Sequence, residues 1–289
     1  MKHKIITFGE LMLRLSPDNN ERFTQAHSYE AVYGGGEANT AVSLANFNVD
    51  TRYVTKLPNH TIGQSAVNSL RQYGVDVSRI VRGGDQIGIY FLEKKTSQRP
   101  TNVIYNRNGS AFALATKEDF DWNSIFEGAT WFHFSGITPA ISDNMAEITI
   151  EACKEAKKRN ITVSCDLNYR SKLWSSEKAN KVMSEVCKYV DICIANEDDA
   201  VGIFGMDASK SDKEKNAYIA EELTKMFPNF KMVASVWRTE TSITTFKLQS
   251  MIYTDGKAYY SQEFFMNILD YIGAGDAYCA GIIYSLING

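Results

Sequence analysis

The chain has 289 residues, of which 44% are hydrophobic and 12% aromatic, enough for one large α/β domain or two ordinary ones. Its 31 basic and 34 acidic residues leave a net charge of −3, which argues against nucleic acid as a partner because such binding needs a basic surface. The sequence shows neither a signal peptide nor an apolar run of the roughly 18 residues that a membrane helix requires. We therefore expect a cytoplasmic protein with no membrane partner.

The first elements along the chain are two predicted strands and a helix. Residues 4–8 predict a short buried strand, and residues 11–16, where Leu alternates with other residues, predict a half-exposed one. A helix is predicted over residues 37–47, where small and apolar residues recur at helical spacing after Gly34-Gly35-Gly36.

Two further segments with strand character, residues 88–94 and 101–107, flank a polar loop and predict a hairpin. The strand and helix patterns of the main body resume on either side of it. We therefore expect a single α/β domain over residues 1–289, with the strands of a small sheet inserted at about 11–35 and 87–108.

The second half alternates more regularly between strand and helix patterns. Strands are predicted over residues 131–135, 161–167, 191–195 and 231–235, and helices over residues 143–159, 176–189 and 217–226. Such alternation is typical of a mostly parallel sheet with helices on both faces. The last apolar run, residues 277–287, predicts a helix that is buried almost all round.

The motif Gly273-Ala274-Gly275-Asp276 lies just before that run. The first amides of a helix lack intrahelical acceptors and carry partial positive charge, so they suit an anion, and both glycines could adopt a positive φ. Asp276 is placed to accept a proton from a hydroxyl that attacks a phosphoryl group. The alternative is an ordinary turn with an aspartate in the first helical turn, and a short glycine motif taken alone favours that alternative.

Polar residues follow two of the predicted strands, at the edge where open α/β sheets bind ligands. Asn168 and Arg170 follow one strand, and residues 196–199 (Asn-Glu-Asp-Asp) follow the next. Carboxylates at such a position suit Mg²⁺, and an arginine suits a carboxylate or phosphate. The alternatives are acidic residues that complement a helix dipole and an unpaired surface arginine.

These motifs occur in an order and spacing that resemble those of the ribokinase-like (PfkB) carbohydrate kinases. Along the chain they are Gly34-Gly35-Gly36-Glu37-Ala38-Asn39-Thr40-Ala41, Asp166-Leu167-Asn168-Tyr169-Arg170, Asn196-Glu197 and Gly273-Ala274-Gly275-Asp276-Ala277. The resemblance covers nearly the whole chain. It implies a Rossmann-like, mostly parallel sheet flanked by helices, a small β-sheet lid, and homodimers or higher oligomers formed through that lid.

The same resemblance implies the chemistry. ATP is the expected donor and Mg²⁺ the expected ion, and a need for a monovalent cation stays open. Asp276 is implied to be the general base, with the backbone of Gly273, Ala274 and Gly275 forming the anion hole for the transferred group. Residues implied to bind the nucleotide are Asn168, Asn196, Ser235, Arg238 and Gly275, and those implied to hold the metal are Asp199 and Glu197.

Within the family, the details are most similar to 2-keto-3-deoxygluconate kinases, which implies phosphorylation of the terminal hydroxyl of that sugar acid. The shared positions implied to line the sugar pocket are Gly35, Asn39, Tyr90, Tyr105, Arg107 and Arg170. The two arginines suit a substrate with a carboxylate. From the residues alone, Tyr90, Tyr105 and Arg107 are equally compatible with ordinary hairpin packing.

Three features depart from the family pattern. Asp199 stands where a longer glutamate is usual, the family's glycine-rich ATP loop is absent near Arg238, and the sequence ends soon after Asp276, where relatives continue through helices that help to enclose the nucleotide. Two alternatives therefore stay open: a kinase of the same fold for fructose, ribose or a nucleoside, and a catalytically weak sensor of sugar acids or nucleotides.

Overall fold

The computed structural model describes residues 3–96, 98–207, 212–240, 242, 245–267, 270 and 272–289, without the side chains of 212–214. Its strands are β1 (Lys4–Phe8), β2 (Met12–Pro17), β3 (Tyr29–Gly34), β4 (Asp50–Val54), β5 (Lys56–Leu57), β6 (Val81–Arg82), β7 (Ile89–Glu93), β8 (Asn102–Asn106), β9 (Trp131–Ser135), β10 (Thr162–Asp166), β11 (Ile192–Ile194), β12 (Met232–Glu240), β13 (Thr245–Thr254), β14 (Lys257–Tyr260) and β15 (Phe264–Asn267). Its helices are α1 (Gly36–Asn46), α2 (Thr61–Arg71), α3 (Trp122–Ile125), α4 (Ile137–Ala140), α5 (Asp143–Lys158), α6 (Ser176–Val186), α7 (Glu197–Phe204), α8 (Asp212–Met226) and α9 (Ala274–Asn288).

The main sheet has the order β14-β13-β12-β11-β10-β9-β1-β4, with β15 also paired to β13. The strands from β12 to β4 are all parallel, whereas β13 runs antiparallel to β12 and begins an antiparallel edge. The predicted mostly parallel α/β sheet is therefore confirmed. All the parallel strands end at one edge, and the loops that follow β1, β9, β10 and β11 meet there.

Helices cover both faces of the main sheet because alternate side chains of each strand point to opposite sides. Phe8 and Phe132 belong to a core cluster that includes α5, α6 and α8 residues, whereas Ile5 and Ile192 belong to a second cluster with α1 and α9. Helices α1 and α9 also contact each other. This contact brings together the two helices whose N-termini carry the glycine motifs.

The small sheet has the order β3-β2-β7-β8, and its strands lie within the predicted segments 11–35 and 87–108. The predicted hairpin is confirmed, because β7 and β8 pair antiparallel with Tyr90 opposite Tyr105. Leu13 and Ile89, on the other side of the small sheet, pack against the cluster formed with α1 and α2. This packing fixes the sheet against the main body.

One expectation about the C-terminal part is wrong, and three strands there were not predicted. The last helix is not buried all round: Tyr284 and Leu286 are exposed, although Cys279 and Ile283 are buried, because the main sheet covers only one side of α9. The antiparallel strands β13–β15 were not predicted, since many of their aromatic and apolar side chains are exposed and give no clear alternation. Among the described residues, no helix has both the length and the apolar character needed to cross a membrane.

Candidate active site

The Gly-Ala-Gly-Asp motif forms the first turn of α9. Gly273 precedes the helix with φ 85, a conformation that glycine adopts without strain. The first intrahelical bond runs from the Ala277 amide to the Gly273 carbonyl at 2.9 Å, so the amides of 273–276 have no acceptor within the helix. Of the two glycines that could adopt a positive φ, only Gly273 does so, because Gly275 is already helical.

The carboxylate of Asp276 lies between the N-termini of α9 and α1. Asn39 donates from Nδ2 to Oδ2 of Asp276 at 2.8 Å, and Thr40 donates from Oγ1 to its backbone oxygen at 3.2 Å. A Cβ on Gly36 would lie 3.4 Å from Oδ1, so the bare backbone of α1 comes close to this oxygen. Burial raises the pKa of Asp276, partly offset by the Asn39 hydrogen bond and the charge of Arg170.

Helix α1 is itself anchored by Glu37, a buried residue that the sequence did not single out. Its Oε1 accepts hydrogen bonds from the backbone and hydroxyl of Ser135, at 2.8 and 2.6 Å, and from the hydroxyl of Thr138 at 3.0 Å. Burial raises its pKa. These bonds fix the start of α1 against the end of β9, and so fix Asn39 two residues later.

A cavity of about 380 Å³ lies between the small sheet, α1 and the segment before α9. Its lining includes Arg14, Gly34, Asn39, Tyr90, Asp270 and Gly273. A Cβ on Gly34 would be 3.6 Å from Oδ1 of Asn39 and 3.9 Å from the hydroxyl of Tyr90, so these groups meet beside it. The ring of Tyr105 lies 5.8 Å from that of Tyr90, centroid to centroid. Gly35 is required by space, since its Cβ would be 2.1 Å from the Glu10 carbonyl oxygen.

Arg107 and Arg170 occupy different environments. Arg107 is buried and donates from Nε to Oε2 of Glu10 at 2.7 Å, with Nη2 also in contact with that oxygen. Ser110 donates to the other Glu10 oxygen. Arg170 is exposed on the loop after β10, and its charge lowers the pKa of Asp276. Arg107 thus has its charge balanced by Glu10, a partner that the sequence did not reveal.

Three carboxylates interact at the ends of β10, β11 and α9. Burial, then the charges of Asp199 and Asp276, raise the pKa of Asp166 to about 8, while Asn168 donates to its Oδ2 at 3.1 Å. Asp199 accepts from the amides of Tyr169 at 2.7 Å and of Asn196 at 3.0 Å, and burial raises its pKa to about 6. Asp166 belongs to the sequence motif that runs from Asp166 to Arg170, but nothing in that motif indicated its electrostatic interaction with Asp276.

The predicted metal residues, Asp199 and Glu197, are engaged in contacts within the chain. Asp199 uses both oxygens to bind backbone amides, and Asn196 completes a capping box by accepting from the Asp199 amide at 3.1 Å. Glu197 pairs with Lys215 at 2.9 Å. Within the described part of the chain, no three His, Cys, Asp or Glu side chains are arranged to hold a metal. This geometry is that of the helix-start alternative, and the role of Asp199 and Glu197 in holding Mg²⁺ stays a prediction.

The other predicted nucleotide residues lie on β12. Ser235 is buried and donates from Oγ to the Ala195 carbonyl at 2.7 Å. Arg238 is exposed, with its guanidinium 5.7 Å from the centroid of the Phe246 ring, and lines a cleft with Lys95 and Glu240. The structure thus places Arg238 beside the small-sheet hairpin, and its role stays a prediction.

Comparison with known proteins identifies the family of this chain. The sequence pattern described as pfkB family carbohydrate kinase matches residues 2–289. A 2-dehydro-3-deoxygalactonokinase from Haloferax volcanii is 33% identical, over 100% of this chain and 86% of that protein. A 5-dehydro-2-deoxygluconokinase from Clostridium perfringens is 27% identical, over 100% of this chain and 82% of that protein.

The fold is likewise shared with solved structures. The crystal structure of 2-dehydro-3-deoxygluconokinase from Thermotoga maritima has a TM-score of 0.95 and 45% identity, and the match covers 100% of this chain and 88% of that one. The ribokinase-like fold and the family resemblance are therefore confirmed. With a family match along nearly its whole length and a relative above 30% identity, the chain belongs to the pfkB family of carbohydrate kinases and is an ATP-dependent sugar kinase.

Proposed function

We propose that this kinase phosphorylates the terminal hydroxyl of 2-keto-3-deoxygluconate, also called 2-dehydro-3-deoxygluconate. The observation that carries the proposal is the 45% identity, along the whole chain, to the Thermotoga maritima 2-dehydro-3-deoxygluconokinase. The site supports it, because an oriented carboxylate, a helix N-terminus and a cavity bounded by an arginine and a tyrosine lie together.

In this proposal Asp276 is the general base. Asn39 holds Oδ2, and the absence of a side chain on Gly36 keeps space beside Oδ1, which accepts the proton of the substrate hydroxyl. The hydroxyl oxygen forms a bond to the γ-phosphorus of ATP, and the bond from that phosphorus to the β,γ-bridging oxygen breaks. ADP leaves with the electron pair of the broken bond. The burial that raises the pKa of Asp276 also makes its carboxylate a stronger base.

The backbone of 273–276 provides the anion hole. These amides have no acceptor within α9, and the helix dipole adds positive potential at the same point. A Cβ added to Gly275 would meet no atom within 4 Å, so packing within the chain does not require glycine there. Close approach of a phosphoryl oxygen to the backbone explains why a glycine stands at position 275.

The sugar acid is proposed to contact Gly35, Asn39, Tyr90, Tyr105, Arg107 and Arg170. Asn39 and Tyr90 meet beside Gly34 in the cavity, which supports their part of the set. Arg170 influences Asp276 through its charge, and this supports a position near the reacting end of the substrate. Arg107 would contribute hydrogen bonds more than net charge, because Glu10 already balances it.

ATP is the proposed donor, with Asn168, Asn196, Ser235 and Arg238 as its contacts beyond the anion hole. The first three are supported by their position at the edge where the parallel strands end. Asn168 and Asn196 follow β10 and β11, and Ser235 comes just after the part of β12 that pairs with β11. Mg²⁺ is generally required for kinase chemistry. The geometry of Glu197 and Asp199 does not favour direct contact between their carboxylates and the ion. Cytoplasmic location and assembly through the small sheet as a lid belong to the same proposal.

The test is ADP release across a panel of acid and neutral sugars. We expect the highest kcat/KM for 2-keto-3-deoxygluconate, with the galactonate epimer as the nearest competitor because a 33% identical relative is named for it. Faster turnover of ribose or fructose than of any keto-deoxy acid would contradict the proposal. Binding of the sugar acid without ADP release would favour the sensor alternative.

A further inference from the structure

Arg14 is a buried cation in the wall of the sugar cavity that none of the predicted roles includes. It lies on β2, directly beside Tyr90 of β7 in the parallel register of the small sheet. Only 8% of the residue is exposed, and it lines the cavity together with Asn39, Tyr90 and Gly273. Its Nε has no hydrogen-bond partner among the described residues.

The charge of Arg14 is poorly balanced inside the chain. Its nearest acidic group is Asp270, whose Oδ2 lies 3.8 Å from Nη1, beyond hydrogen-bond distance. The Asp270 side chain is 47% exposed and is therefore solvated. A buried guanidinium that is hydrogen-bonded to a neutral partner, here Tyr90, rather than to an anion is costly unless a further anion joins it.

A series of near contacts runs from Asp276 to Tyr90, the neighbour of Arg14. Asp276 is hydrogen-bonded to Asn39, Asn39 approaches Gly34, and Gly34 approaches the hydroxyl of Tyr90. The charge of Arg14 and a hydrogen bond from its side chain lower the pKa of Tyr90, against the larger rise that burial causes. In a keto-deoxy acid the carboxylate and the terminal hydroxyl are at opposite ends of the carbon chain. A substrate with its hydroxyl at Asp276 would extend along this series of contacts towards Arg14.

The other two arginines are less suited to bind that carboxylate. Arg107 is already engaged by Glu10 through Nε and Nη2. Arg170 acts on the carboxyl groups of Asp166 and of Asp276, the proposed base, which is the group that the substrate hydroxyl rather than its carboxylate would approach. Arg14 alone among the three combines burial, a place in the cavity wall and an unpaired donor.

We infer that Arg14 binds the carboxylate of the sugar acid and sets the preference of this kinase for acids over neutral sugars. The inference rests on the proposed function, and it adds a specificity residue from the small sheet. Binding would replace the loose contact with Asp270 by charge-assisted hydrogen bonds from Nη1, Nε or both. Asp270, in turn, is a competing anion whose removal should favour the substrate.

The test compares Arg14→Met with Arg22→Met, a change at an exposed arginine between β2 and β3. For the keto-deoxy acid, Arg14→Met should raise KM by about 10-fold or more with a smaller change in kcat, because a contact made in both the ground and transition states is lost. Arg14→Lys should recover part of the loss. Arg22→Met should leave KM unchanged, and Asp270→Asn should leave KM equal or lower.

A second measurement separates this inference from the proposed function. The inhibition constants of D-gluconate and D-glucitol, which differ by a carboxylate at one end, are measured for the wild-type protein and each variant. Loss of the gluconate preference in Arg14→Met supports the inference even if another sugar acid is the true substrate. Equal weakening of both inhibitors, or the same defect in Asp270→Asn, would overturn it, because Arg14 would then only hold the small sheet to the segment before α9. Thermal melting confirms that each variant is folded. If Arg14→Met does not fold, the inhibition constants are measured with Arg14→Lys instead.

Discussion

Asp276 is held in place by the amide side chain of Asn39, which lies 237 positions away in the sequence. That hydrogen bond orients the carboxylate and lowers its pKa against the larger effect of burial. The side chain of Asn39 is in turn positioned by Glu37, through the bonds that join α1 to Ser135 and Thr138. The proposed base therefore depends on a residue that does not touch it.

Replacing Asn39 by Ala should reduce kcat and shift its pH dependence. Asp276 must be ionised to act as a base, so activity is lost as the pH falls through its pKa. Removing the hydrogen bond raises that pKa, so the acid limb of the kcat profile should move to higher pH, with a fall in kcat of about 10-fold or more. Asn46→Ala, an exposed position at the end of α1, is the control and should match the wild-type profile. An unshifted limb in Asn39→Ala would argue against the assigned base.

Asp166 carries a prediction about stability. Its folded pKa is raised from 3.8 to about 8, so its contribution to stability is fully present below the unfolded pKa and is lost as the pH rises through about 8. Asp166→Asn should therefore be more stable than the wild-type protein at pH 9, by more than about 1 kcal/mol, the value of one pKa unit. The difference should shrink towards pH 5.

Urea unfolding at pH 5, 7 and 9 measures this effect. The control is Asp255→Asn, at an exposed turn residue with φ 50, a conformation that Asn also tolerates. We expect that variant to follow the wild-type protein at every pH. A pH-independent difference between Asp166→Asn and the wild-type protein would show that Asp166 is not the group that titrates.

At the scale of elements, α9 combines a structural and a functional part. Gly275 lies in its first turn and Gly281 two turns later, and neither would meet an atom within 4 Å if a Cβ were added. Gly275→Ala and Gly281→Ala should therefore have similar effects on stability, with a gain of up to about 1 kcal/mol from helix propensity. Only Gly275→Ala should impair catalysis, because its methyl group would stand where the phosphoryl group approaches the amides.

Steady-state kinetics and thermal melting of the pair decide this prediction. A fall in kcat/KM for ATP in Gly275→Ala, with normal values in Gly281→Ala, is the expected outcome. If both variants keep normal kinetics, the N-terminus of α9 is not the anion hole, even though its geometry is suitable.

The sequence predicted elements well where apolar residues form a continuous buried run or recur at helical spacing, and poorly elsewhere. Residues 131–135 and 143–159 gave clear patterns, and the structure has β9 and α5 there. Strands β13–β15 escaped prediction because none has a regular alternation of buried and exposed residues: β13 is mostly half-buried, and β15 is exposed throughout. The start of the last helix was predicted too late, at residue 277, because a glycine pair suggests a turn. The helix already begins at Ala274.

For the whole molecule, motif order was enough to predict the fold but not the partners of each site residue. Glu10 and Arg107 are 97 positions apart, and no local pattern relates them. Arg14 was likewise hidden, because a single arginine in a strand looks like an exposed residue until β7 and the segment before α9 are placed beside it. Side-chain contacts between distant segments form only in the folded chain, and no local pattern in a single sequence indicates them.

Assembly is a prediction at the same scale. If the small sheet joins two copies, the half-exposed Ile104 of β8 lies on the joining surface, and Ile104→Lys should convert the oligomer into a 32.4 kDa monomer because a charge in an apolar contact is costly. Val201→Lys, at an exposed position on α7, should leave the oligomer intact. Sedimentation velocity distinguishes these outcomes, and a monomeric wild-type protein would contradict the prediction.

The central claim is that Asp276 is the base of a sugar-acid kinase, and the most direct test is single-site replacement by Asn. With 2-keto-3-deoxygluconate and ATP, Asp276→Asn should reduce kcat by roughly 10²–10⁴-fold, while calorimetry shows the sugar acid still bound with near wild-type affinity. A near-normal kcat in this variant would contradict the account, because the proton of the substrate hydroxyl would then have another acceptor.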